Sequence, residues 1–135
     1  MLFRSAVILV DARVVVPEER VRVEGLMNAL SPAVDGAKIT VSGGLHRPPL
    51  HESMSAELFD LAREVAREID GRELSGVAVG GGSDGNFTAA IGVKTLDGLG
   101  AVGGGAHGPD EHVVVDSIPF RTALLAGIAS RLLAR

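Results

Sequence analysis

Between residues 80 and 112 the chain concentrates most of its 18 glycines and two of its four histidines. The stretch opens with Gly80-Gly81-Gly82-Ser83-Asp84-Gly85-Asn86-Phe87. A second glycine cluster ends in Gly105-Ala106-His107, and Asp110-Glu111-His112 follows. Glycine loses more backbone freedom on folding than any other residue, so a dense run of it needs a compensating reason. The usual reason is a sharp turn or a close approach of the backbone to another group. Apolar segments surround this stretch and deliver it.

The 135 residues suffice for one ordinary domain. Hydrophobic residues make up 46% and aromatics only 3%, so a core must be built from Val, Leu, Ile and Ala. The net charge of −4, with no basic run or aromatic stripe, argues against a nucleic-acid partner. There is no cysteine, hence no disulfide framework, which is compatible with a reducing, cytoplasmic setting. No apolar run is long enough for a membrane span, so no membrane partner is expected. Met1-Leu2-Phe3-Arg4-Ser5 does not read as a signal peptide. Leu2-Phe3-Arg4-Ser5 matches one reading frame of a sequencing-adapter oligonucleotide. The expectation is a scar on a chain that begins inside a longer protein.

Residues 6–16 are apolar and β-branched and read as a buried strand. Asp11 and Arg13 interrupt it two positions apart, so both point to one face. They form either a solvated sheet face or an Arg fork that meets a carboxylate. Pro17-Glu18-Glu19 opens a helix, since Pro pre-sets the backbone and acids suit the helix N-terminus. Val23, Leu26, Met27 and Leu30 keep helical spacing, Pro32 stops it, and Asp35-Gly36 turns the chain. Residues 38–41 alternate like a strand. Residues 42–49, with Gly43-Gly44 and Pro48-Pro49, form a loop that looks like a domain junction.

Ser53 or Ser55 is expected to cap a helix to Asp70, with Leu58, Ala62, Val65 and Ile69 on one stripe and Gly71 as the stop. Residues 74–79 read as a strand that runs into the glycine stretch. Residues 88–91 suggest a brief helix, and residues 93–96 and 113–115 two more strands. Ser117 should cap a last helix that buries Leu124, Ile128 and Leu132. Strands alternating with helices imply an α/β fold with a parallel-rich sheet and flanking helices.

Three chemistries fit the glycine stretch. Gly80-x-Gly82-x-x-Gly85 matches a dinucleotide fingerprint, but the acidic residue expected about 20 positions on is missing. Gly81-x-Ser83-x-Gly85 matches a nucleophile elbow, with Asp97 and His107 following in Ser, Asp, His order. His107 in its glycine bed, before Asp110-Glu111-His112, could instead be a zinc ligand.

The segments from Gly80 to Ala90, Thr95-Leu96-Asp97-Gly98-Leu99-Gly100, Gly103-Gly104-Gly105-Ala106-His107 and Glu111-His112-Val113 together resemble the C-terminal part of the di-zinc glutamate carboxypeptidases. That family also contains acetylornithine deacetylase, succinyl-diaminopimelate desuccinylase and the aminoacylases. Val10-Asp11-Ala12-Arg13 and Arg47-Pro48-Pro49 fit the resemblance as well. It implies a catalytic α/β domain interrupted by a small α+β lid that forms a homodimer. Residues 6–44 would be the C-terminal half of that lid, and residues 45–135 the closing segment of the catalytic domain.

The implied chemistry is amide hydrolysis by a water held between two zinc ions, on a small amino-acid-derived substrate, with a Glu as proton carrier. On this resemblance His107 is the last zinc ligand and Arg13 holds the substrate carboxylate. Gly81, Gly82 and Ser83 line the substrate pocket. Asp84, Glu111 and His112 brace the structure. The family's His-x-Asp motif, bridging Asp and Glu-Glu pair have no counterpart here, so neither catalytic group nor complete zinc site is expected. This chain alone would then be inactive, with an unpaired sheet edge and an exposed apolar patch. The alternatives are a non-catalytic binding or assembly module and a serine hydrolase with Ser83 as nucleophile.

Overall fold

The computed structural model describes residues 5–134, so Leu2, Phe3 and Arg4 of the adapter-like stretch lie outside the described residues. The chain divides into two units, Met1–Pro49 and Leu50–Arg135.

In the first unit, residues 6–16 do not join a sheet among the described residues. Their β-branched sequence has no partner strand in register, and Leu9 is 95% exposed. The alternation of a strand is nevertheless visible from residue 11. Ala12, Val14 and Val16 are half-buried, while Asp11, Arg13 and Val15 are exposed. Helix α1 spans Pro17–Asn28, opens on proline, and carries Glu18 and Glu19 in its first turn. These acids suit the positive end of the helix dipole. Glu24 Oε1 accepts the Leu45 amide at 2.9 Å. That bond, helped by Arg20, holds the Glu24 carboxyl below its ordinary range. The Asp35-Gly36 turn forms as expected: the Ala37 amide donates to the Val34 carbonyl at 3.1 Å, and Gly36 takes φ 75°. Residues 38–41 form no ladder.

The second unit is built on two helices, α2 (Glu52–Asp70) and α4 (Ile118–Leu133), packed on each other. Leu61, Ala62, Val65 and Ala66 of α2 meet Phe120, Leu124 and Ile128 of α4 in the core. The buried stripe is rotated from the expected one: Leu61 and Ala66 enter it, and Ile69 is exposed. Three small residues set the contact. Ala62 and Ala66 are almost fully enclosed, and a Cβ on Gly127 would stand 2.5 Å from Val65 Cγ1. Leu124 is fully buried, worth about 1.5–3 kcal/mol relative to exposure. Arg131 bridges to Glu64 at 3.5 Å and also pairs with Glu68. These pairs are exposed and add little.

The cap of α2 corrects the sequence reading. His51, and neither Ser53 nor Ser55, occupies the N-cap, and its Nδ1 accepts the Ser53 amide at 3.3 Å. An imidazole nitrogen can accept as a hydroxyl does, although histidine is not among the favoured caps. Gly71 ends the helix in the left-handed conformation at φ 78°. Ser117 does sit at the N-cap of α4, but its hydroxyl donates back to the Val114 carbonyl at 2.6 Å.

Helix α3 (Gly85–Ala90) starts earlier than the brief helix expected at 88–91. The expected parallel-rich sheet is not formed among the described residues. The sheet among the described residues is one antiparallel pair, β1 (Gly103–Gly104) with β2 (His112–Val113). Residues 74–79 and 93–96 join no ladder, and Val77 is 82% exposed. A parallel strand needs a neighbour brought alongside by a crossover, and these segments have no such neighbour. No helix among the described residues is long and apolar enough to cross a membrane.

Two glycines test this packing with opposite signs. Gly127→Ala should destabilise the chain by about 1–3 kcal/mol through overpacking against Val65, despite alanine's better helix propensity. Gly25→Ala meets nothing within 4 Å and should stabilise α1 by about 0.5–1 kcal/mol. Urea unfolding followed by helical circular dichroism measures both. A stabilised Gly127→Ala would contradict the close contact of α2 and α4.

Candidate functional site

The glycine stretch resolves into two devices, a loop before α3 and a hairpin between β1 and β2. In the loop, Ser83 is the organising residue. Its amide donates to Asn86 Oδ1 at 2.8 Å, and its carbonyl accepts the Asn86 amide at 3.2 Å. Its Oγ accepts the Gly85 amide at 3.1 Å. Its hydroxyl proton goes to Asp97, whose carboxylate also takes the Gly98 amide at 2.7 Å. The Ser83 hydroxyl first, and the Gly98 amide second, hold the Asp97 carboxyl below its ordinary range. A carboxylate that accepts such bonds is favoured in its charged form. Gly85 leaves little room for a side chain, because a Cβ there would lie 3.1 Å from both Ser83 Oγ and Thr95 Cγ2. Gly81 and Gly82 are exposed, and a Cβ on Gly81 would meet nothing within 4 Å. Asp84 precedes α3 but gives it no side-chain cap.

This geometry removes two sequence readings. A nucleophile elbow needs an imidazole to take the serine proton. Ser83 instead gives its proton directly to Asp97, so Asp97 does not orient a base. A dinucleotide fold needs a strand, a glycine turn and a long helix in one βαβ unit. Residues 74–79 pair with nothing in a sheet, and α3 has only 6 residues.

The hairpin explains the second glycine cluster. The Gly108 amide donates to the Gly105 carbonyl at 2.8 Å, and the Glu111 amide to the Gly108 carbonyl at 3.2 Å. Two successive tight turns thus return the chain from β1 to β2. A Cβ on Gly103 would collide with the His112 carbonyl, and one on Gly105 would lie 2.8 Å from the Asp110 backbone. His107 sits at the third position of the first turn with φ 66°, the one non-glycine residue with positive φ among those described. That conformation costs an L-residue about 1–2 kcal/mol. Such strain concentrates where a side chain has a task. The His107 imidazole is exposed at the tip of the hairpin. His112 lies in β2 opposite Gly104, and its Nδ1 meets the Asp110 carbonyl at 2.9 Å. Glu111 closes the second turn through its amide. His112 and Glu111 therefore shape the hairpin.

Arg13 belongs to the first unit. Its Nε and Nη2 lie 3.2 and 2.9 Å from Asp11 Oδ2. The two side chains share a face, as their spacing requires. The pair is exposed, so its guanidinium can exchange this partner for another carboxylate at small cost.

Among the described residues, no three His, Asp or Glu side chains converge in a way that could hold a metal ion. Zinc takes about three or four protein ligands. His107 alone does not make a zinc site, and this chain's described residues do not fit a complete one.

Sequence reasoning missed two site residues. Arg121 of α4 donates from Nε to the Gly100 carbonyl at 2.7 Å and from Nη2 to the Gly98 carbonyl. It thereby fastens the segment that carries Asp97. Asn86 clamps Ser83. The spacing of Ser83 to Asn86 was a usable signal, because Asn side chains bond backbone a few residues away. Arg121 lies more than 20 positions from its partners and offered no local signal.

The strain at His107 makes a prediction. His107→Gly should hold the hairpin more firmly than His107→Ala, by about 1 kcal/mol, because only glycine takes this φ without penalty. Exchange of the Gly108 amide, read by NMR, should be slower in the glycine variant. Equal exchange in both would mean that the turn is not strained.

The family model described as Peptidase family M20/M25/M40 matches residues 6–131. Succinyl-diaminopimelate desuccinylase of Thioalkalivibrio sulfidiphilus is 34% identical over 77 residues, covering 57% of this chain and 20% of that protein. The Pseudoalteromonas atlantica protein of the same name is 31% identical over 80 residues, covering 59% and 21%. The matched part of the chain thus spans about a fifth of the length of these relatives. No solved structure gives a significant match. With the family model running through the exposed Arg13–Asp11 pair, the Ser83 loop and the strained His107 hairpin alike, the chain belongs to Peptidase family M20/M25/M40.

Proposed function

We propose that this chain supplies the C-terminal portion of a zinc-dependent amidohydrolase that cleaves an amide bond next to a carboxylate-bearing amino acid. The observation that carries the reading is the family match across residues 6–131. The relatives' printed name, succinyl-diaminopimelate desuccinylase, describes removal of an acyl group from an amino acid, which belongs to this class. In the whole protein, residues 6–44 would complete a lid through which two copies pair. Residues 45–135 would close a catalytic domain with a parallel-rich sheet. We place the protein in the cytoplasm.

Each candidate residue has a role that its chemistry allows. His107 presents its exposed imidazole from a hydrogen-bonded turn, and imidazole nitrogen is a zinc ligand. Zinc, when bound, supplies an activated water and polarises the scissile carbonyl. Arg13 offers a planar fork that a substrate carboxylate can take over from Asp11. The amides of Gly81 and Gly82 offer donors to a carboxylate or carbonyl oxygen. Ser83, Asp84, Glu111 and His112 keep these donors and the His107 turn in place. One imidazole is too few for the metal, so the hydrolytic step requires ligands and a proton carrier from outside these 135 residues.

A full-length protein carrying this chain should bind about two zinc ions per subunit. Its hydrolysis of N-succinyl amino acids should be lost to chelators. His107→Ala should lower the zinc content and reduce turnover by about a hundredfold or more. Metal analysis alongside the assay decides. Normal zinc and normal turnover in that variant would overturn the ligand assignment.

A further inference from the structure

We propose that Asp97 is the positioning residue of the glycine loop: through the Ser83 hydroxyl it fixes the backbone of Gly81 and Gly82, so that the loop meets a substrate oxygen with their amides and not with the serine. The inference deepens the proposed function and rests on its reading of this loop as a pocket wall.

Ser83 has one hydroxyl proton, and Asp97 accepts it. The same oxygen accepts the Gly85 amide, and the Ser83 amide and carbonyl both engage Asn86. The amide, carbonyl and hydroxyl of Ser83 are therefore all committed inside the protein. A hydroxyl that donates to one carboxylate cannot donate to a second. A substrate carboxylate brought to Ser83 would also meet the charge of Asp97. Gly81 and Gly82 are exposed, with open space where a Gly81 side chain would stand.

Asp97 is itself anchored. Gly98 donates its amide to Asp97 Oδ1, while Arg121 donates to the carbonyls of Gly98 and Gly100. Arg121 stands on α4 next to Phe120, a core residue. Thr95 Oγ1, 2.8 Å from Thr88 Oγ1, ties the same segment to α3. A continuous set of bonds thus runs from the helical core through Arg121, Gly98, Asp97 and Ser83 into the glycine loop. The other charged groups on these segments are Asp84, Lys94 and Arg121. Lys94 pairs with Glu57, Arg121 is held on carbonyls, and neither they nor Asp84 contribute to the charge state of Asp97. A hydroxyl and an amide keep Asp97 ionised.

The test is an NMR pH titration of the 135-residue chain, without metal or substrate. Asp97 is more acidic folded than unfolded, so its hold on the loop is full above the unfolded value of about 3.9 and is lost as pH falls through the folded value. The Ser83, Gly85 and Gly98 amides should move together, with one midpoint below about 3.9. Ser83→Ala should raise the Gly98 midpoint toward that value and speed amide exchange at Gly81 and Gly82 about tenfold. Ser83→Thr, which keeps the hydroxyl, should restore both. Asp97→Asn should abolish the common titration.

Separate midpoints for the three amides in the unsubstituted chain would overturn the proposal, and this reading requires no variant to fold. So would a Gly98 midpoint unmoved by Ser83→Ala. Either result leaves the amidohydrolase reading as it was, because no zinc or substrate is present. Conversely, normal zinc in His107→Ala would leave this coupling standing.

Discussion

The second unit depends on the close contact of α2 and α4. Only small residues let two helices approach so nearly, and Ala62, Ala66 and Gly127 supply them at the interface. Leu124 then fills the space between, with Val65, Leu61 and Ile128 around it. Interiors packed in this way have little slack, and a single added methyl is felt. Arg72 covers the outer face of this core by stacking over the Phe120 ring at 4.0 Å from its centre. That stacking combines cation–π attraction with cover over the aromatic face.

Everything that carries candidate chemistry in this unit hangs from that helix pair. The N-terminus of α4 continues back through the 3-10 turn Val115–Ser117 into β2, and so into the His107 hairpin. Arg121, one residue beyond Phe120, reaches the carbonyls of Gly98 and Gly100. The glycine loop is therefore fixed by side-chain bonds to backbone, where a sheet would have fixed it by a ladder. The hairpin is fixed by close backbone approach, which only glycine permits at Gly103 and Gly105.

Under the proposed function these two devices serve one reaction. In that proposal His107 is a metal ligand, and the exposed Gly81 and Gly82 meet a substrate oxygen. They do not by themselves complete a site. The matched relatives are about five times longer than the matched segment, and the described residues gather no metal-binding trio. In the proposed function the chain contributes these two devices, while the hydrolytic chemistry needs further ligands.

The sequence by itself determined what depends on neighbours along the chain. Pro17 with two acids opened α1, Gly71 closed α2, and Asp35-Gly36 turned the backbone, because each acts within a few residues. The glycine density marked both devices, and the combined motifs of residues 80–113 carried the family. Tertiary structure decided the rest. The apolar runs at 6–16, 38–41, 74–79 and 93–96 have strand composition, but a strand exists only with a partner, and none of them has one in a sheet here. His51 displaced the expected serines as a cap because an imidazole happened to face the Ser53 amide. The union of Ser83 with Asp97, and of Arg121 with the 98–100 backbone, joins groups 14 to 23 positions apart. Local periodicity cannot encode such distances. Only the packing of α4 against α2 brings those groups to one place.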